Sequence, residues 1–366
     1  MKTKRIGISV YPEHSSVEEI KDYIDLAASY GYNRLFTCLL CADGDAQEVL
    51  EKFKAVVMHA KKHNMMILAD VAPKVFTSLN LRHDDLAFFK EMGLTGIRLD
   101  EGFTGFEEAM MTFNKDNLLI EINISPEQEY LENILSYQPN RDKLIGCHNF
   151  YPKKYSGLGW NYFIERSHRF QKEGLRVAAF VNAPSATLGP WPVSEGLCTV
   201  EDHRELSIST QAKELFHSGV VDDVLIANAF ASEQELAELA AVNNQLVELD
   251  VELDDKAVKL EKQVLFDQIH WVRGDINPYT IRSTHTRDIY RGERIVPNLT
   301  KAEIKRGDVI VENNDYTKYA GEMHIALQDY TNTGCSNVVG RISEENLRFL
   351  EQLKPWQKFN LIEKVS

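Results

Sequence analysis

Residues Thr95–Gly102 read T-G-I-R-L-D-E-G, and this stretch decides the fold of the chain. It has the composition of a short buried strand that stops at two adjacent carboxylates, Asp100 and Glu101. The other apolar runs in the first two thirds of the chain follow the same plan, since each ends at a polar residue and precedes a helical pattern. Strands and helices that alternate in this way predict a parallel sheet covered by helices.

Eight strands of this kind are predicted, and each is followed by a helix. They are Arg5–Tyr11, Arg34–Leu40, Met65–Val71, Gly96–Asp100, Leu118–Ile124, Leu144–Phe150, Arg176–Asn182 and Asp223–Asn228. They are almost wholly apolar, as expected when both faces of a sheet are buried. Ser16-x-x-Glu19 and Ser232-x-x-Glu235 are capping boxes that mark helix starts. The pattern predicts a (β/α)₈ barrel. A doubly wound open sheet is the alternative, but no G-x-G-x-x-G motif follows the first strand.

The sequence changes character after about Val242, where short β-like segments replace the strand-and-helix alternation. The predicted strands here are Leu246–Leu253, Gln268–Val272, Asp308–Glu312, Glu322–Asp329 and Asn337–Ile342. We therefore expect an α/β chain with a barrel domain at residues 1–242 and a smaller, mostly β domain at residues 243–366. The unit between the seventh and eighth strands is the longest, and its loop, which contains Pro190 and Trp191, is expected to form a lid or a wall of the substrate site.

Composition restricts the possible partners. The chain has 366 residues, a formal net charge of −14 and a pI near 5.3, which argues against binding to nucleic acid or to an anionic membrane surface. No apolar run approaches the roughly 20 residues that a membrane helix needs. The amino-terminal apolar run is too short for a signal sequence, and the cysteines are few and scattered, so a cytoplasmic location is expected.

Polar residues at the ends of the predicted strands are candidates for chemistry, because barrel enzymes react at the carboxyl ends of their strands. They are Tyr11, Glu13, Asp70, Asp100, Glu101, Glu121, Asn123, His148, Asn149, Tyr151, Asn182 and Asn228. Carboxylates that share a partly desolvated site develop unequal pKa values, as glycoside hydrolysis requires. We expect Asp100 and Glu121 to be the catalytic pair, with Asp70 and Glu101 as further candidates. The alternative is that these acids pair with Arg98 or cap helices.

A second polar cluster lies in the β domain, and phosphate binding is one interpretation of it. Its candidate ligands are Arg282, Ser283, Thr284 and Arg287, while a solvated edge strand is the alternative. We expect neither a metal ion nor a cofactor. The chain has no H-x-H motif after the first strand and no H-E-x-x-H motif, which argues against a catalytic zinc site. Cys38 and Cys41 have C-x-x-C spacing, but no second pair of this kind lies nearby, which argues against a metal or redox role for them.

Four motifs resemble one bacterial family. They are G-I-S-V-Y-P-E at residues 7–13, I-R-L-D-E-G-F at 97–103, C-H-N-F-Y-P at 147–152 and R-S-T-H-T-R at 282–287. In these motifs the chain is similar to the 6-phospho-N-acetylmuramidases. The resemblance implies a barrel followed by a cyclophilin-like β domain that caps the barrel mouth. It also implies cytoplasmic hydrolysis of the β-1,4 bond of MurNAc 6-phosphate–GlcNAc, a small phosphorylated disaccharide of peptidoglycan recycling.

Three other functions remain open from the residues. One is a 6-phospho-glycosidase of different specificity. Another is an isomerase or aldolase acting on a sugar phosphate, which would favour a lysine or a metal at the barrel rim, and no strand-end lysine is seen. The last is a non-catalytic protein that binds sugar phosphates.

Overall fold

The computed structural model describes residues 3–39, 46–78, 80–126, 129–298 and 301–364. Cys41 of the C-x-x-C pair lies outside these ranges. The chain divides into two compact units, Met1–Val242 and Asn243–Ser366.

The first unit is a closed barrel of eight parallel strands in sequential order, which confirms the predicted fold. The strands are β1 Arg5–Ser9, β2 Arg34–Cys38, β3 Met66–Val71, β4 Gly96–Leu99, β5 Leu119–Asn123, β6 Leu144–Cys147, β7 Arg176–Val181 and β8 Asp223–Ile226. Its helices are α1 Val17–Ser29, α2 Ala46–Lys62, α3 Pro73–Ser78, α4 Ala87–Glu91, α5 Phe106–Met111, α6 Tyr130–Ser136, α7 Trp160–Lys172, α8 Ile208–His217 and α9 Glu233–Ala240.

Both predicted capping boxes are present. The side chain of Glu19 accepts the backbone N–H of Ser16 at 3.1 Å, and that of Glu235 accepts the N–H of Ser232 at 2.8 Å. Each bond satisfies an N–H group that an open helix end would leave without a partner. These local signals fix where α1 and α9 begin.

Side chains alternate along each strand, so the barrel has two apolar layers. Outward-facing residues such as Ile97 and Ile122 pack with the surrounding helices. Inward-facing residues such as Phe36, Phe180 and Leu225 pack with one another inside the barrel. The interior also carries charged residues, and their placement decides the position of the site.

The second unit contains a nearly closed, barrel-shaped sheet of seven strands in the order β10-β17-β9-β16-β13-β14-β11. The two edge strands are linked by a hydrogen bond of 3.0 Å from the N–H of Arg273 to the carbonyl oxygen of Arg282. The seven strands of this sheet are β9 Val247–Leu253, β10 His270–Trp271, β11 Thr280–Ser283, β13 Asp308–Glu312, β14 Met323–Ala326, β16 Ser336–Ile342 and β17 Lys358–Glu363. Strands β12 Glu303–Ile304 and β15 Tyr330–Thr331 form a separate two-stranded sheet, and the helices are α10 Lys259–Phe266 and α11 Thr286–Ile289.

All five strands predicted for this unit are present, but β12, β15, β17, α10 and α11 were missed, and β11 was foreseen only as the edge-strand alternative to a phosphate-binding cluster. Strand β11 is short and polar, so its sequence was interpreted as a phosphate-binding cluster. Strand β17 (K-F-N-L-I-E) follows the turn residues Pro355 and Trp356 close to the chain end, and helix α10 has few local signals. Strands β11 and β17 pair with strands that are distant in the sequence, so local patterns do not reveal them.

Candidate active site

A cleft of about 160 Å³ lies at the carboxyl-terminal ends of the barrel strands. Its lining residues are Phe36, Cys38, Asp70, Arg98, Asp100, Asn149, Phe150, Pro190 and Trp191. Two of the predicted catalytic acids are therefore brought together, with one of the predicted substrate-binding residues beside them.

Arg98 organises the polar floor of this cleft. Its Nη1 donates to Oδ1 of Asp70 at 2.5 Å and to Oδ1 of Asp100 at 3.1 Å. Its Nη2 donates to Oδ1 of Asn149. Asp70 and Arg98 are partners in the β3–β4 register, so strand pairing itself places them side by side. One guanidinium thus holds two carboxylates close together.

The two carboxylates have different environments. The side chain of Asp70 is 9% exposed, whereas that of Asp100 is 32% exposed. Burial raises the pKa of Asp70 to about 7; the nearby Asp100 and Glu121 add to the rise, and the Arg98 guanidinium opposes it. Asp70 can therefore carry a proton near neutral pH while its more exposed neighbour faces solvent.

Glu121 occupies a different place from the one predicted. It is fully buried inside the barrel and forms an ion pair with Arg34, the first residue of β2. Arg34 also contacts Oδ2 of Asp223, the first residue of β8, at 2.6 Å. Glu121 is directed towards the amino-terminal end of the barrel because this arginine reaches up to it, and it does not line the cleft. The structure therefore does not bring Asp100 and Glu121 together at the mouth, where Asp70 is the acid beside Asp100.

A glycine makes this arrangement possible. Gly7 lies beside Arg34 in the β1–β2 register, and a Cβ at Gly7 would lie 2.7 Å from the carbonyl oxygen of Arg34. Any larger residue would displace the strand that carries the buried arginine.

His148 does not face the cleft either. It is fully buried between β6 and α7, with its Nε2 2.8 Å from Oγ of Ser167 and its ring against Phe163. Burial lowers the pKa of His148 to about 3, so the ring is neutral. The next residue, Asn149, projects inward because strand side chains alternate. The predicted substrate contact of His148 is corrected to a structural role.

Asn182 and Asn228 hold the long loop after β7. Oδ1 of Asn182 accepts the N–H of Leu197 at 2.9 Å and Nδ2 of Asn228 at 3.0 Å. Oδ1 of Asn228 accepts the N–H of Ala183 at 2.8 Å, and its Nδ2 donates to the carbonyl of Ala186 at 2.7 Å. Both amides are buried and engaged within the protein, so they are corrected from substrate ligands to supports of the loop.

The loop that they support forms one wall of the cleft. Arg204 ties it to the barrel, since its Nη1 donates to the carbonyls of Tyr151 at 2.9 Å and Gly196 at 2.6 Å. The loop presents Pro190 and Trp191 to the cleft, and Trp191 is 51% exposed. The loop predicted as a lid or wall therefore lies along one side of the cleft and exposes an indole there.

The remaining predicted residues surround the cleft without lining it. Tyr11 is buried, and its hydroxyl donates to the carbonyl of Ala227 at 2.5 Å. Asn123 is half-buried, and its Nδ2 lies 3.4 Å from the carbonyl oxygen of Asp100. Tyr151 is half-buried, while Glu13 and Glu101 are exposed on the loops after their strands.

The predicted phosphate cluster in the second unit is organised by an acid that the sequence did not reveal. Nε of Arg282 donates to Oε1 of Glu322 at 2.7 Å, and Nη1 of Arg287 donates to Oε2 at 3.1 Å. Both guanidinium groups also lie within 6 Å of the Tyr319 ring, at 5.8 and 5.9 Å. The two arginines therefore share one buried glutamate, and His324 lies 3.0 Å from the same Glu322 and 3.3 Å from a second buried acid, Glu312.

The hydroxyl residues of that cluster differ from each other. Ser283 is fully buried, and its Oγ lies 2.9 Å from Nδ1 of His270 and 3.1 Å from Nδ1 of His285. Its predicted phosphate contact is therefore corrected to an internal hydrogen bond. Thr284 is half-buried beside it.

Phe36 and Cys38 line the cleft although neither was predicted as a site residue. Thr37, the residue between them, is buried and does not line the cleft. The alternation that starts at Arg34 contained the signal, since Arg34, Phe36 and Cys38 share one strand face.

None of the helices in the described part of the chain is both long and apolar enough to span a membrane.

The chain matches two family models along most of its length. Residues 6–241 match the N-terminal model of 6-phospho-N-acetylmuramidase, and residues 247–362 match the C-terminal model. The crystal structure of an uncharacterized B. cereus protein is similar, with 44% identity, a TM-score of 0.92 and coverage of 99% of this chain and 100% of that chain.

A second solved structure is more distant. It is a conserved protein of unknown function from Enterococcus faecalis, with 24% identity, a TM-score of 0.72 and coverage of 98% and 96% of the two chains, and it supports the fold alone. Comparison with curated proteins gave no match. The two family matches decide the assignment: the chain belongs to the 6-phospho-N-acetylmuramidase family and is a glycosidase.

Proposed function

We propose that this glycosidase hydrolyses the β-1,4 bond of MurNAc 6-phosphate–GlcNAc in cytoplasmic peptidoglycan recycling, with Asp70 and Asp100 as its catalytic acids. The family match supports the substrate class. One observation in the barrel supports the residues: two carboxylates of unequal exposure contact one guanidinium in the cleft.

Asp70 is the proton donor of this proposal. Its pKa, raised to about 7, keeps a large fraction of the carboxylic acid protonated near neutral pH. Protonation of the glycosidic oxygen is the step that such an acid performs for the departing GlcNAc. Arg98 keeps the carboxyl group directed into the cleft through its 2.5 Å contact.

Asp100 is the anionic partner. It is more exposed than Asp70, and Arg98 stabilises its negative charge. Because Oδ1 of both acids contacts the same nitrogen, the carboxyl groups lie near one another, which favours the separation of about 5–5.5 Å found in retaining enzymes. Asp100 attacks the anomeric carbon as the bond to GlcNAc breaks, and water, which gives a proton to the now ionised Asp70, then cleaves the glycosyl–Asp100 ester and releases MurNAc 6-phosphate. The alternative is attack by the substrate's acetamido group, which the carboxylate would polarise.

The walls of the cleft suit a sugar ring. Phe36, Phe150 and Trp191 supply apolar faces, and Asn149 supplies an amide held in place by Arg98. Sugars present C–H groups on their faces and hydroxyls at their edges, so this combination of aromatic and amide groups supports binding of one ring.

Cleavage of MurNAc 6-phosphate–GlcNAc and of its unphosphorylated counterpart tests the substrate. We expect kcat/KM to be much higher for the phosphorylated compound. Equal cleavage of both compounds would contradict the proposed phosphate specificity. Cleavage of neither would contradict the proposal that this disaccharide is the substrate. NMR that identifies the anomer of MurNAc 6-phosphate formed first separates retention from inversion.

The phosphate-binding role of Arg287 is a separate prediction. Arg287→Gln leaves Arg282 on Glu322, so the buried acid keeps a cationic partner. Because hydrogen bonds to charged groups contribute roughly 1.5–3 kcal/mol, KM for the phosphorylated compound should rise roughly 10- to 100-fold. Arg291→Gln, at an arginine that is 78% exposed, is the matched control and should change little. An unchanged phosphate preference in Arg287→Gln would exclude this role.

A further inference from the structure

Three potential metal ligands converge on the outside of the barrel, away from the cleft residues. Asp25 belongs to α1, while His59 belongs to α2 and His63 follows one turn later along the same face. Residues four apart in a helix project from one face, so both imidazoles point to the neighbouring helix. Helices α1 and α2 pack against each other, which brings the carboxylate to them.

The distances place the three side chains around one point. Nε2 of His59 and Nε2 of His63 each lie 2.6 Å from Oδ1 of Asp25. One ligand atom from each residue lies within 4.8 Å of the others. The side chains are 16%, 31% and 50% exposed for His59, His63 and Asp25, so water can complete a coordination shell.

A bound metal ion requires only small movements from this arrangement. In a tetrahedral zinc site the ligand atoms lie about 2.0–2.2 Å from the ion, and hence somewhat over 3 Å from each other. The carboxylate oxygen and the two Nε2 atoms would separate by less than about 1 Å, within the reach of side-chain rotation at exposed positions.

We propose that Asp25, His59 and His63 form a surface site for a divalent transition-metal ion, with Zn²⁺ as the expected occupant, which links α1 to α2. Two imidazoles and one carboxylate suit Zn²⁺, Ni²⁺ or Cu²⁺, whereas Mg²⁺ prefers oxygen ligands. The site takes no part in the glycosidase reaction, because none of its residues lines the cleft. Its effect is to cross-link two neighbouring helices of the barrel layer, which raises the thermal stability of the folded chain.

Zinc titration of the full chain, stripped of metal with a chelator and dialysed, tests this site. We expect one Zn²⁺ per chain by calorimetry and a rise of Tm with zinc but not with Mg²⁺. His63→Ala and Asp25→Ala should each weaken zinc binding at least tenfold and remove the rise in Tm, because a two-ligand site holds the ion poorly. Co²⁺ should give a visible d–d spectrum that both variants lose.

His168→Ala is the matched control, because His168 is an exposed histidine on another helix, α7, 3.1 Å from Oε1 of Gln171. It should bind zinc as the unaltered chain does. Disaccharide cleavage by the metal-free protein should be the same in all three variants. Zinc binding that persists unchanged in His63→Ala and Asp25→Ala, or an unaltered chain whose Tm does not respond to zinc, would overturn the proposal.

Discussion

The barrel contains two clusters in which one arginine bridges two acids, and they differ in almost every physical respect. The lower cluster, Arg34 with Glu121 and Asp223, lies towards the amino-terminal ends of the strands. The upper cluster, Arg98 with Asp70 and Asp100, lines the cleft. In the lower cluster all three side chains are 0–1% exposed, whereas Asp100 in the upper cluster is 32% exposed.

Composition alone thus does not reveal which of two such clusters is open to solvent and which is enclosed in the barrel. Asp223 of the lower cluster also pairs with Arg176 and lies 3.7 Å from Arg5, so cations outnumber acids there. In the upper cluster a single arginine faces two acids, and burial raises the pKa of Asp70 to about 7. The upper cluster therefore combines an acid that can exchange its proton near neutral pH with access to solvent, whereas the two acids and the bridging arginine of the lower cluster have almost no such access.

The largest expected effect comes from removing the acids of the upper cluster. Asp70→Asn and Asp100→Asn should each lower kcat/KM roughly 10²- to 10⁴-fold, the usual contribution of a positioned acid or base. Glu101→Gln is the control, because Glu101 is adjacent in sequence but exposed. Steady-state kinetics with the phosphorylated disaccharide measures the effect. Activity that survives in both aspartate variants would move the chemistry away from this cluster.

The lower cluster should instead respond in stability. Glu121→Gln leaves Arg34 buried with less compensating charge, and breaking a buried ion pair costs roughly 3–5 kcal/mol. For a unit of this size that corresponds to a fall in Tm of roughly 6–20 °C. Glu132→Gln, which removes an exposed pair with Arg169, should change Tm by only a few degrees. Thermal unfolding followed by circular dichroism compares them, and equal Tm values would contradict a structural role for Glu121.

The smallest expected effect is a pH dependence that comes from Asp70 of the upper cluster. kcat/KM should fall above about pH 7, because ionised Asp70 no longer donates a proton. The folded-state pKa of Asp70 is raised above its unfolded value of about 3.9. Its protonation therefore stabilises the fold fully below about pH 4, and this stability is lost as the pH rises through about 7.

Asp70→Asn provides the check on the stability half of that prediction. The variant should show a flatter dependence of Tm on pH between about 4 and 7, since the group that binds the proton is gone. Urea unfolding at several pH values gives the same comparison at constant temperature. A pH dependence identical to that of the unaltered chain would mean that another group is responsible.

The sequence by itself determined the architecture of the protein. Its signals are local: apolar strands, capping boxes such as Ser16 with Glu19, and the change from strand-and-helix alternation to short β-like segments after Val242. Local signals can be found without knowing what lies nearby in space. Of the acids predicted at the strand ends, Asp70 and Asp100 line the cleft, whereas Glu121 does not.

Only the tertiary structure decided which polar residue faces which partner. His148 and Asn149 are neighbours in the chain, yet one packs under α7 and the other lines the cleft, because successive strand residues point to opposite sides. Glu121 was drawn away from the mouth by Arg34, which is 87 residues distant in the sequence. The energy of a buried charge depends on its nearest charges and its access to water, and both are set by barrel closure rather than by any local pattern.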